Sequence, residues 1–314
     1  MGDAHLCGAS PILLWNSRQK IVRCVAGIFS KPFSDFPSPP RADRQTQLQA
    51  PYHPPRPSKM SISIRLGISW APSFQTSEPT DTLVLTGKTY FVDQRLFPPL
   101  TPTTPTSSPI SWAFAGTRSS HPVPNKPGYT QCSWTHLVSS VPFKKEDEKP
   151  TDEGILGPHP AWPDNPIYAL ETGRMVNPDT GLMTDYKEYW QDNDAKEGEE
   201  VVFWEYGSDE VGPEDRGFVG IVGRSALGLG RISGQFWTWR AEKGEYGNWK
   251  LERSVLERDG RRRGWGLLNL EFDSIVLGTT TVDDEVVSGR GFDGEGEEPK
   301  RIWVPKEAWK VPAK

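Results

Sequence analysis

The sequence predicts a mainly β protein: two tandem antiparallel β-barrels joined by a short helical segment and preceded by a disordered leader. Three observations lead there. Short runs such as Ser61-Ile62-Ser63-Ile64-Arg65-Leu66 alternate polar and apolar residues, the period of a half-buried strand. Gly- and Pro-rich turns separate these runs at near-regular spacing, as in barrels and sandwiches. Helix signals gather in one place only, between Glu171 and Asp194.

Residues 1–59 read as a disordered leader, rich in Pro and Ser and without hydrophobic periodicity. They carry eight Lys/Arg against three Asp. A transit peptide is the other reading of such an acid-poor segment. Ordered structure is expected to start at Met60, with a first barrel over 60–170. Its strands are Ile62–Leu66, the hairpin Thr82–Leu85 and Thr89–Phe97, Ile110–Thr117 and Tyr129–Val141. The Pro98–Pro109 stretch and the Lys144–Lys149 charge run read as solvated loops, and Gly154–Pro166 as irregular.

The connector spans 171–194. Asn177-Pro178-Asp179-Thr180-Gly181 has the composition of a tight reversal. Asp185 stands three residues before Glu188, a capping-box spacing, and Tyr186, Tyr189 and Trp190 form an i, i+3, i+4 stripe, which together predict a short helix. A second barrel is expected over 195–314, with strands at Val201–Tyr206, Phe218–Val222, Leu227–Trp239, Trp249–Glu257, Asn269–Leu277, Thr279–Val287 and Arg301–Val304.

No motif names a chemistry. Asp179-Thr180-Gly181 matches the aspartic-protease triplet, but that reaction needs two carboxylates sharing one proton, and no second triplet exists. Gly228-x-Gly230-x-x-x-Gly234 precedes a strand-like run instead of a helix N-terminus, so it reads as glycines at barrel bends. His121, His136 and His159 lack ligand spacing, so no metal and no cofactor is expected. No catalytic residue is assigned and the protein is expected not to be an enzyme. The residues expected to line a ligand pocket, if a barrel interior is open, are Trp112, Trp134, His136, Trp237 and Trp239; core packing is the other role open to them.

Composition narrows the partner class. The formal charge is -5, and the leader is basic, so residues 60–314 hold 28 basic and 38 acidic groups, a balance of -10. That argues against a general nucleic-acid binder. No apolar run reaches membrane-spanning length. Three cysteines, one of them outside the leader, suit a reducing cytosolic or nuclear compartment.

Residues from about 60 to 310 resemble the fungal Hri family, known in yeast as interactors of a casein kinase I. The resemblance rests on Ile62–Leu66, the Thr82–Phe97 hairpin, Ser111-Trp112-Ala113-Phe114-Ala115-Gly116-Thr117, Asp185-Tyr186-Lys187-Glu188-Tyr189-Trp190, and Arg216-Gly217-Phe218-Val219 followed by Gly230–Gly234. It implies two lipocalin-like barrels and a non-enzymatic cytoplasmic and nuclear protein that binds casein kinase I, with a link to the endoplasmic-reticulum translocation machinery. The alternative is a small hydrophobic-ligand binder using a barrel interior.

Overall fold

A strand facing a filled barrel must place every second side chain inside, and the computed structural model shows eight that do so. It describes residues 60–98, 109–143, 149–207, 215–232, 234–256 and 303–311. The leader, the expected strands at 269–277 and 279–287, Arg261–Arg263, Asp293–Glu298, and most of the 98–109, 144–149 and 207–217 loops lie outside these residues. Among the described residues every regular element is a strand. No helix among them is long and apolar enough to cross a membrane.

Strands β1 (Ser61–Trp70), β2 (Asp81–Thr86), β3 (Tyr90–Leu96), β4 (Ile110–Pro122), β5 (Thr130–Ser139), β6 (Thr151–Pro158), β7 (Tyr168–Val176) and β8 (Met183–Asp194) form an antiparallel meander. It closes where β8 pairs with β1, Ser61 opposite Asp194 and Ile64 opposite Gln191. β6 corrects the expectation of an irregular 154–166 segment: Gly154, Gly157 and Pro158 sit within it, paired to β7.

The expected helix over 171–194 does not exist, and residues 171–194 are not a connector between barrels. They are most of the β7–β8 hairpin that completes the first barrel, which therefore runs to Asp194 and not to 170. The reversal at Asn177–Gly181 does form: Gly181 N donates to Asn177 O (2.8 Å), Asp179 N donates to Asn177 Oδ1 (2.8 Å), and Gly181 takes φ +68°. The flanking residues then alternate. Tyr186, Glu188 and Trp190 turn inward, exposed by only 4, 1 and 5 %. Asp185 pairs with Arg174 across the hairpin at 2.9 Å instead of capping a helix. The helical spacing arose from Tyr189, which points outward and shares no face with Trp190.

The second body is a six-stranded antiparallel sheet, order β13-β12-β11-β10-β9-β14, and strand pairing does not close it among the described residues. Its strands are β9 (Glu200–Tyr206), β10 (Gly217–Val222), β11 (Ser225–Ile232), β12 (Gln235–Lys243), β13 (Trp249–Leu256) and β14 (Val304–Lys310). The single strand expected over Leu227–Trp239 is two, folded back at Gly234 (φ +76°). Neighbouring aromatics need glycine on this sheet. A Cβ at Gly228 would overlap the Trp239 indole, and one at Gly220 would lie 2.7 Å from the Phe203 ring.

The main hydrophobic core lies between the two bodies. Outward-facing Leu83, Leu85, Val92, Ala113, Ala115 and Val138 of the barrel meet Val201, Phe203, Phe218, Val222, Leu227, Leu229 and Phe236 of the sheet. The opposite sheet face packs Tyr206, Val219, Ile221, Trp237 and Trp239 together. Polar groups buried between the bodies are matched: Gln94 donates to Thr238 Oγ1 (2.8 Å) and accepts from Arg240 Nε (3.0 Å), and Arg231 Nη2 donates to the Ser139 and Ser140 carbonyls (3.0 and 3.1 Å).

Candidate functional site

The barrel's apolar face looks outward, toward the sheet, so its interior receives the polar half of each alternation. On β1, Ser61, Ser63 and Arg65 are buried while Ile64 and Leu66 are about two-fifths exposed (40 and 36 %). On β3, Phe91, Asp93 and Arg95 point inward while Val92 and Leu96 join the inter-body core. The result is an interior built around charge, with a cavity of about 150 Å3 lined by all eight strands.

Its inner end is an ion network. Glu188 Oε1 accepts from Arg65 Nη1 (2.6 Å) and Arg95 Nη1 (3.2 Å). Arg65 also reaches Glu78 (2.8 Å) and Thr80 (2.7 Å), and Arg95 Nη2 reaches Asp93 Oδ2 (2.8 Å). Burial alone would lower both arginine pKa values, but Glu188 and Glu78 at Arg65, and Asp93 and Glu188 at Arg95, outweigh it and both rise. Burial pushes the Asp93 carboxyl up in spite of Arg95.

Glu171 stands beside this network. Its oxygens accept from Tyr186 Oη (2.7 Å) and Trp190 Nε1 (3.1 Å). Burial first, then the Glu188 charge, push its pKa up to about 8. Burial and the two glutamates raise the Tyr186 phenol. A perturbed carboxyl facing a cavity marks functional sites and structural ion networks alike.

The five sequence-assigned pocket residues are divided by the fold. Trp134 lines the cavity. Trp112 donates to Ser139 Oγ (3.2 Å) and stacks on Phe114 at 4.2 Å. His136 belongs to the same ring cluster, stacked 4.2 Å from Phe114 and edge-on to Trp112 at 5.5 Å. Its Nε2 comes within 3.1 Å of Asp152 Oδ2, an ion-pair distance without hydrogen-bond alignment. Trp237 and Trp239 belong to the second sheet and are fully buried there. Trp237 and Trp239 therefore fill the second body's core, while the first barrel combines salt links with the Trp134 and Trp190 indoles. Sequence reading missed Arg65, Asp93, Arg95, Glu171 and Glu188. The available signal was a charge at every second position inside strand-like runs, as in Phe91-Val92-Asp93-Gln94-Arg95-Leu96.

Cys132 also faces the cavity; burial raises its thiol pKa although Arg118 Nη2 lies 3.8 Å from Sγ. Among the described residues no group of three or more His, Cys, Asp or Glu is arranged to hold a metal ion.

The fold and site can be set beside known proteins. The solved structure of the uncharacterized protein YLR301w from Saccharomyces cerevisiae is similar, with a TM-score of 0.52 and 16 % identity over 79 % of this chain and 98 % of that one. At that identity the likeness concerns the fold. A comparison with curated proteins returned no match. The family model described as Protein HRI1 matches residues 61–280, which takes in the whole barrel and the sheet through β13. A match over that much of the sequence settles kinship: the chain belongs to the HRI1 family.

Proposed function

We propose that this protein is a non-enzymatic interaction factor of the cytoplasm and nucleus whose partner is a casein kinase I, with the endoplasmic-reticulum translocation machinery a further contact and nucleic acid not a partner. The observation that carries the reading is the barrel's uneven outer wall. The sheet covers the β2–β5 side, but Ile64, Leu66, Ile167, Val176 and Met183 on or beside β1, β7 and β8 stay 36–57 % exposed. Exposed apolar side chains along this uncovered wall, on an otherwise acidic chain, suit a protein partner with an apolar, basic-rimmed surface.

Capture of casein kinase I by the full chain at low salt tests this, with Ile64→Asp and Leu66→Asp expected to abolish it. No capture even at low salt, where opposite charges attract most, would count decisively against the partner. The second reading, a hydrophobic-ligand binder, is weakened by the charged barrel lining. It would need an apolar interior in a closed second barrel, for which the edges β13 and β14 would have to be joined. Saturable quenching of tryptophan fluorescence by a fatty acid would revive it.

A further inference from the structure

Two neighbouring donors on the barrel interior lack an oxygen acceptor among the described residues. Arg118 on β4 and Trp134 on β5 are paired directly across the sheet, and both line the cavity. Arg118 forms no ion pair among the described residues; its Nη2 meets the soft Cys132 Sγ at 3.8 Å, and its Nε is buried without a hydrogen-bond partner. Trp134 Nε1 likewise meets no acceptor among the described residues. At the inner end, by contrast, the polar groups answer one another. Asp93 and Glu188 hold Arg95, and Glu171 accepts from Tyr186 and Trp190. Donors in a protein interior are ordinarily paired, so the Arg118–Trp134 pair is where the lining is incomplete.

Size and charge narrow what could complete it. Phe91, Phe114 and Trp190 border the same space, and ring faces pack against another ring. A cavity of about 150 Å3 is the size that takes a benzene-scale molecule. Asp152 stands opposite Trp134, and Asp93 and Glu188 share the cavity, so a ligand carboxylate would add a like charge. A ligand ammonium would set a cation beside Arg118 and leave both donors unanswered. A neutral carbonyl oxygen has two lone pairs and meets both donors at neither cost.

We propose that the interior of the closed barrel is a binding site for a small neutral carbonyl compound, an amide or ketone carried on a single ring, with its oxygen accepting from Arg118 and Trp134 and its ring against the aromatic lining. The donor pair selects the carbonyl, and the surrounding charges of both signs select against an ionised ligand. The site lies inside the barrel, so it does not depend on a protein partner docking on the outer wall.

The test is calorimetric titration of the full chain with benzamide, benzoate and benzylammonium in parallel. Benzamide is expected to bind with a Kd of about 1 mM or tighter, and the two ionised ligands about tenfold more weakly. Arg118→Met is expected to weaken benzamide about tenfold, and Trp134→Phe, which keeps a ring and loses the N–H, by a smaller factor. On the unaltered chain, benzamide is expected to shift the Trp134 indole N–H signal in an NMR titration. The ligand comparison and that shift do not depend on any variant folding. Benzoate or benzylammonium binding as tightly as benzamide, an unmoved Trp134 signal, or no heat from benzamide would each overturn the proposal.

Discussion

Glu188 is the residue on which the barrel interior turns. It is 1 % exposed and is shared by two guanidiniums, from β1 and β3, that are far apart in sequence. Replacing it by Ala leaves both cations buried beside too little negative charge. Breaking such a buried pair costs about 3–5 kcal/mol. Urea denaturation of Glu188→Ala is expected to show a loss in that range. Glu171 makes a different prediction. In the unfolded chain its carboxyl loses its proton near 4.5, and in the fold near 8. Between those values the folded state holds a proton that the unfolded state has released, so this group's contribution falls as pH rises. The slope is at most about 1.4 kcal/mol per pH unit, and it flattens above pH 8. Glu171→Gln is expected to be flatter than the parent in urea melts from pH 5 to 8, and equal slopes would show that the group is not protonated in the fold.

Among the elements, β14 and the β7–β8 hairpin are the instructive ones. β14 docks onto the barrel by a carboxylate: Glu307 accepts from the backbone N–H of Lys88 (2.9 Å) and Thr89 (2.6 Å) in the β2–β3 turn. Lys88 Nζ lies 3.0 Å from the centroid of the Trp309 ring. Hydrogen bonds to a charged group contribute about 1.5–3 kcal/mol each, less where water competes. Glu307→Ala is expected to destabilise the protein by about 2 kcal/mol and to raise amide exchange at Lys88 and Thr89 selectively. The β7–β8 hairpin shows where sequence reading stops. Its turn was legible because Asn177, Pro178 and Gly181 carry backbone preferences of their own. Its strands were not, because the inward residues are Glu171, Tyr186, Glu188 and Trp190. Periodicity analysis searches for an apolar face, and this strand's buried face is amphoteric. β1–β5 were readable since their outward halves form an ordinary apolar stripe; only which side faces the barrel interior was hidden. The pocket tryptophans separated for the same reason: sequence ranks them by residue type, whereas the fold sorts them by body.

At the scale of the molecule, barrel and sheet share one core. Phe203 is fully buried within it and also packs under Gly87 and Gly220. Phe203→Ala removes a large ring from that junction and is expected to cost about 3–5 kcal/mol. Because both bodies lean on this contact, barrel and sheet are expected to unfold in a single transition. Two separated transitions by calorimetry would show that each body stands without the other.

The barrel wall from β2 to β5 is greasy on the outside, and its cover is encoded downstream, from residue 200 onward. During translation the ribosome completes the first body before its shield exists. A newly made barrel thus emerges with Leu85, Val92 and Val138 bare, so chaperone demand is greatest in that interval and a stalled message would leave a sticky intermediate.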